Sequence, residues 1–333
     1  MTAMSTAAPP RSPSAQRPWL VADVGGTNAR FGLITAPGGA PCRVQVLAVR
    51  DHAGLAEAAA TYLARHAGDM RPSAACIAIA GPTSEDGEYR LTNAHWAGNA
   101  AEVRDDLGLD HLELMNDFEA LALALPTLGP GDLRPLGDAV PSGDAPAAVV
   151  GPGTGLGVAG LIRVGDRLVA VPGEGGHMDL PATTEREHRI VTMLRAEHGT
   201  VEAEHLLSGD GLARLYRLLS RLHDVPVEPL STAQICARRT DPLCHETLET
   251  FCSLLGSFAG NVALTFGARA GVYVGGGILP RIWEVLRRSD FRRRFESKPP
   301  MESYLRAIPT ALIVAPTPAL SGAAVRLASL EFA

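Results

Sequence analysis

Two segments of the chain, 128 positions apart, share one pattern: Val21-Ala-Asp-Val-Gly-Gly-Thr-Asn-Ala-Arg-Phe-Gly-Leu-Ile34 and Val149-Val-Gly-Pro-Gly-Thr-Gly-Leu-Gly-Val-Ala-Gly-Leu-Ile162. Val21/Val149, Gly25/Gly153, Gly32/Gly160, Leu33/Leu161 and Ile34/Ile162 coincide. Each segment reads as an apolar strand, a glycine and threonine turn and a second apolar strand, which is the signature of a hairpin. A hairpin used twice predicts two similar lobes; the alternative is chance alignment of small residues. With 333 residues and 46% hydrophobic content, the chain can bury two cores.

Around the hairpins, strands and helices alternate. The pattern predicts helices at 53–68 and 97–107 and a buried strand at 74–80. Beyond Pro181 it turns mostly helical, with candidates at 185–197, 202–207, 211–222 and 245–266. A strand at 271–274 then enters Gly275-Gly-Gly277, followed by a helix from Pro280 and a strand at 311–315. This is an α/β chain with helical insertions.

A formal charge of -6 argues against the broad basic surface that duplex nucleic acid requires. Phosphate can still be bound by backbone amides, which need no net positive charge. The five cysteines (Cys42, Cys76, Cys236, Cys244 and Cys252) form no C-x-x-C pair, so neither a zinc cluster nor a disulfide framework is indicated. Their odd number fits a reducing compartment, and the cytoplasm is the expected location. Residues 1–17, rich in Ala, Pro, Ser and Arg, read as a disordered tail without a signal-peptide core. Residues 145–162 carry no charge, yet five glycines and two prolines there suit a turn between strands better than a membrane helix, so no membrane association is expected.

The first hairpin places Asp23 at a strand end, Gly25 and Gly26 in the turn, and Thr27 and Asn28 just after. Glycines allow close approach to an anion, the hydroxyl and amide add donors, and Asp23 is positioned to hold a metal through water. An ordinary hairpin turn would look the same. In the second hairpin no acid aligns with Asp23, so Gly153, Thr154 and Gly155 read as a phosphate clamp without a metal, or as a glycine-rich surface turn. Asn116 and Asp117 stand between an apolar strand and a helical run, where Asn116 with Glu119 also matches a capping box. Glu174 and His177, three apart around two glycines, suit a turn that aims a carboxylate and an imidazole at one polyol. Glu202 and Glu204 begin a short helix and cannot be ranked from the residues alone. Gly275, Gly276 and Gly277 would let a flat ring pack on bare backbone, or simply turn the chain.

Together, Asp23-Val-Gly-Gly-Thr-Asn-Ala-Arg30, Thr92-Asn93, Asn116-Asp117-Phe118, Gly151-Pro-Gly-Thr-Gly-Leu-Gly157, Gly173-Glu-Gly-Gly-His177 and Gly275-Gly-Gly277 resemble the bacterial glucokinase family of the actin/hexokinase superfamily. The resemblance runs from about Trp19 almost to the C-terminus. It implies two ribonuclease H-like domains around a cleft, with helical insertions in the larger. The small domain would hold 18–127 with 318–333 and the large domain 128–317. It implies ATP-dependent phosphorylation of D-glucose at the 6-hydroxyl, the first step of glucose use in glycolysis, by a homodimer, with Mg2+ accompanying ATP. Asp117 would be the catalytic base, with Asn93, Asn116, Asp117, Glu174, His177 and Glu204 on the sugar. Glu204 matches the family better than Glu202 because it precedes Leu-Leu-Ser-Gly209. ATP would lie on Ala22, Asp23, Val24, Gly25, Gly26, Thr27, Asn28, Gly153, Thr154, Gly155, Gly275, Gly276 and Gly277, with Asp23 toward the metal. The related repressor/open-reading-frame/kinase group carries a cysteine-rich zinc motif after its sugar-binding His, and no cysteine follows His177 until Cys236. Two other readings stay open: a related kinase for mannose or an N-acetylhexosamine, and a non-catalytic sugar and nucleotide sensor.

Overall fold

The computed structural model describes residues 10–81, 84, 86–92, 94–140 and 144–331. The chain forms two compact units, one of Met1–Leu128, Val164–Ala170 and Ala315–Ala333, the other of Gly129–Arg163 and Val171–Val314.

The first unit opens with β1 (Trp19–Val24), β2 (Asn28–Ile34) and β3 (Cys42–Ala48), followed by α1 (Leu55–His66) and β4 (Ala74–Ile79). A small ribbon of β5 (Glu88–Arg90) and β6 (Ala97–Asn99) leads into α2 (Ala100–Leu107), β7 (His111–Asn116) and α3 (Asp117–Ala124). Its sheet runs β3-β2-β1-β4-β7, with β1 and β2 antiparallel and β1, β4 and β7 parallel. Every residue of β4 is buried, as a central strand covered on both faces demands. The helix expected over 97–107 begins only at Ala100, because the Asn99 side chain caps it by accepting the Ala101 amide.

The second unit contains β8 (Leu133–Pro135), β9 (Ala147–Pro152), all but the last residue of β10 (Leu156–Val164) and the end of β11 (Arg167–Gly173), then α4 (Glu185–His198), α5 (Gly209–Leu222), α6 (Thr232–Ala237) and α7 (Pro242–Phe266). After β12 (Gly271–Val274) come α8 (Trp283–Leu286), α9 (Phe291–Glu296), α10 (Glu302–Arg306) and β13 (Thr310–Ile313). The sheet order is β11-β10-β9-β12-β13-β8. Helix α7 is bounded by local chemistry: Asp241 caps its start, Pro242 occupies its first position, and Gly267 at φ +58° ends it. It is buried over most of its surface, which suits the central helix of the unit's core.

The chain then returns to the first unit as α11 (Pro318–Glu331), which packs on α3. Gly322 permits that approach, since a Cβ there would overlap the Ala120 carbonyl.

Each sheet therefore contains a hairpin whose first strand is continued by two parallel neighbours, β1-β4-β7 in one and β9-β12-β13 in the other. The duplication holds at this level, yet the turns differ by one residue. Val24 pairs with Ala29, leaving four residues between them, whereas Pro152 pairs with Leu156, leaving three. The coincidence of Gly32 with Gly160 is thus one place out of register, as Gly32 faces Val21 and Gly160 faces Ala148.

Three other expectations change. Residues 10–17, placed in a disordered tail, are held: the Trp19 indole donates to the Arg11 carbonyl at 2.8 Å, and Arg17 pairs with Asp110 at 2.6 Å. The helix expected over 202–207 is a single 3-10 turn, Ala203–His205. The helix from Pro280 divides into a 3-10 turn, Leu279–Ile282, and the short α8. Among the described residues, no helix is long and apolar enough to cross a membrane.

Candidate active site

In the first unit, the parallel register Val24↔Ile79 and Ile79↔Asn116 brings the carboxyl ends of β1, β4 and β7 side by side. Ligands of open α/β sheets collect at such strand ends. Neighbouring strands lie about 4.8 Å apart, so Asn116 is roughly 10 Å from the β1–β2 turn, within the span of one small ligand.

Ala22, Asp23 and Val24 end β1, with Ala22 and Val24 buried beneath the turn. Gly25, Gly26 and Thr27 form the turn into Asn28. It is closed by the Gly25 amide on the Asn28 carbonyl (3.0 Å) and tied down by the Val49 amide on the Thr27 carbonyl (2.9 Å). Asp23 faces Arg30 directly across the hairpin, and the guanidinium reaches its carboxylate at 3.1 Å. Burial raises the Asp23 pKa, and the arginine opposes that rise. Sequence reasoning passed over Arg30, although a hairpin turning at 25–28 puts residues 23 and 30 opposite each other.

At the end of β7, the Asn116 side-chain oxygen accepts the amides of Phe118 (2.8 Å) and Glu119 (3.3 Å) and so caps α3. With that oxygen committed to the helix, Asn116 has its NH2 group to offer a ligand hydroxyl. Asp117 opens the helix, and its Oδ1 accepts the Phe118 amide at 2.9 Å. Asn93 lies outside the described residues.

The second unit brings together the remaining candidates. Gly153, Thr154 and Gly155 are the whole of the β9–β10 turn, closed by the Gly153 amide on the Gly155 carbonyl (2.8 Å). The Gly153 carbonyl accepts the Gly209 amide at 2.8 Å, docking the N-terminus of α5 on the turn. Gly275, Gly276 and Gly277 follow β12. The Gly275 amide binds the Val150 carbonyl (2.9 Å), and Gly276, at φ +92°, passes so close that a Cβ would overlap the Pro152 carbonyl.

Glu174 precedes a 3-10 turn, Gly175–His177, and His177 is its last residue. It packs tightly on β10, where a Cβ on Gly176 would overlap the Leu156 carbonyl. Glu204 reaches the glycine turn: its Oε2 accepts the Leu156 amide at 2.7 Å, and a Cβ on Gly155 would overlap that oxygen. Glu202 takes a different partner, His177, with Nδ1 to Oε2 at 2.7 Å. This hydrogen bond raises the His177 pKa; burial opposes it and the charges of Glu204, Glu202 and Glu174 reinforce it. The same bond lowers that of Glu202.

Among the described residues, no three His, Cys, Asp or Glu side chains form a metal cluster. Magnesium carried on nucleotide phosphates needs only one or two carboxylates. Asp23 fits that modest requirement, a carboxylate at the mouth of the glycine turn whose side chain retains 21% exposure.

The family model described as Glucokinase matches residues 20–330. A glucokinase of Aromatoleum aromaticum is 45% identical over 93% of this chain and 94% of its own length. A glucokinase of Chromobacterium violaceum is 46% identical over 93% of this chain and 89% of its own. The crystal structure of a glucokinase from an Antarctic psychrotroph superposes with a TM-score of 0.85 at 36% identity, covering 94% of this chain and 99% of that one. With the glycine turns, the capped Asp117 helix and the Glu174–His177 turn all in place, the chain belongs to the glucokinase family.

Proposed function

We propose that the protein is a glucokinase that transfers the γ-phosphoryl group of ATP to the 6-hydroxyl of D-glucose, giving glucose 6-phosphate and ADP. The observation that carries this reading is the hydrogen bond that the Leu156 amide donates to Glu204, because one carboxylate joins the polyol-suited residues to the glycine turn suited to phosphate. Glu174, His177 and Glu204 take sugar hydroxyls, as does the Asn116 NH2, with Asn93 as a further contact. Asp117 accepts the proton of the attacking hydroxyl. In a loose phosphoryl-transfer transition state such a base mainly orients the hydroxyl and takes its proton late.

The two glycine turns, with Thr27, Asn28 and Thr154, receive the phosphates through backbone amides and side-chain donors. Gly275, Gly276 and Gly277 offer bare backbone to the adenine ring. Asp23 would help hold the Mg2+ that accompanies ATP, an ion that would supply charge neutralisation for the transferred group. The enzyme works in the cytoplasm as a homodimer.

A coupled assay for ADP with Mg-ATP and a panel of hexoses tests the proposal. Turnover with glucose well above mannose and N-acetylglucosamine is expected. Glucose binding in a calorimeter with no ADP formed would identify a sensor and overturn it.

A further inference from the structure

We infer that Glu202 is a positioning residue that locks the His177 imidazole for sugar recognition and does not itself bind sugar. The inference rests on the hexose-kinase reading above. Two strands of observation carry it. The first is the bond from His177 Nδ1 to Glu202 Oε2 at 2.7 Å. An ionised carboxylate only accepts, so Nδ1 carries the proton and Nε2 is the ring atom presented to a polyol.

The second is that the pairing is imposed by the backbone. Asp179 and Glu202 form an antiparallel bridge, the Ala203 amide donates to the Met178 carbonyl at 2.8 Å, and the Leu180 amide donates to the Val201 carbonyl at 3.0 Å. The segment after His177 is therefore stitched to the segment that bears Glu202, and the two side chains meet because register places them together. The Glu202 amide also donates to His205 Nδ1 at 3.2 Å, which fixes the other side of the same residue.

The groups around the pair sort its charges. Glu174 lies on the turn of His177, and Glu204 and His205 lie on the turn after Glu202, with the His198 ring of α4 stacked on His205 at 4.7 Å. Burial, followed by the nearby His198, lowers the His205 pKa, whereas His177 is raised. The two imidazoles are thus pushed apart in protonation, and of the two only His177 has a carboxylate hydrogen-bonded to its ring to stabilise the protonated form.

The test uses the full chain labelled in its histidines, with His177 assigned by the signal missing from H177Q. In the wild type the neutral ring should be the Nδ1-H form. In E202A the His177 titration should move to lower pH, because the carboxylate that favours the charged ring is gone. The KM for glucose should rise about tenfold, with kcat at saturation changing much less. E202Q, which keeps an acceptor without the charge, should recover most of the KM but not the titration, and it stands in should E202A fold poorly. An unmoved His177 titration, or an unchanged KM in both variants, overturns the inference. Absence of glucose turnover in the wild type would instead refute the functional reading, and the titration would still report on the pair.

Discussion

Asp117 holds two positions at once, the first residue of α3 and the proposed base, so a substitution there has to separate helix initiation from chemistry. The cap itself belongs to Asn116, whose oxygen takes the Phe118 and Glu119 amides. D117N keeps the shape of the side chain and leaves that cap in place. We expect kcat to fall at least about a hundredfold, the low end for losing a general base, with glucose affinity little changed. Steady-state kinetics check this, and near wild-type turnover would reassign the base. N116A should behave differently, costing about 1 kcal/mol of stability through the lost cap and also weakening sugar binding. Urea unfolding beside a glucose titration reads both effects. The sequence was ambiguous here because a capping residue and a sugar ligand call for the same side chain, and the structure has Asn116 committed by its oxygen while its NH2 group remains suited to the sugar.

A buried ion pair ties three helices of the second unit together. Arg294 on α9 donates to both oxygens of Glu187 on α4, at 2.8 and 3.0 Å, and to Ser257 on α7 at 2.9 Å. Glu187 also accepts the Thr183 and Thr184 amides that start α4. Burial by itself would raise the Glu187 pKa, but the arginine and these amides outweigh it and the net shift is downward. A carboxyl depressed in the folded state adds stability that is fully present above its unfolded pKa, near 4.5, and is lost as pH falls through the folded value. R294M leaves Glu187 buried without its partner and should cost about 3–5 kcal/mol at neutral pH. Its urea midpoint should then fall less than that of the wild type between pH 5 and 3, and a parallel acid profile would contradict this. Nothing in the sequence announced the pair, since its members stand 107 positions apart and each looks like a routine charge on an amphipathic helix. The glycine hairpins were legible because their signal is local. Even so, the one-residue difference between their turns appeared only once Val24↔Ala29 and Pro152↔Leu156 had been paired.

For the molecule as a whole, ligand binding and unfolding are linked, because a sugar that binds only the folded chain must be released before the chain unfolds. Glucose at about 100 times its dissociation constant should stabilise the protein by roughly 2.7 kcal/mol. A chain of 333 residues gains on the order of 0.7 kcal/mol/K of entropy on unfolding, so the midpoint should rise by about 4 °C. Two compact units with separate apolar cores give reason to look for two transitions in place of one. Glu174, His177 and Glu204 all belong to the second unit, so its transition should move with glucose whether or not the other follows. H177A should lose most of the shift at the same glucose concentration, whereas D117N should keep it, since the base acts on the proton and contributes little to affinity. Scanning calorimetry of the three proteins with and without glucose separates these cases. A shift that survives H177A but disappears in D117N would exchange the roles assigned to the two residues.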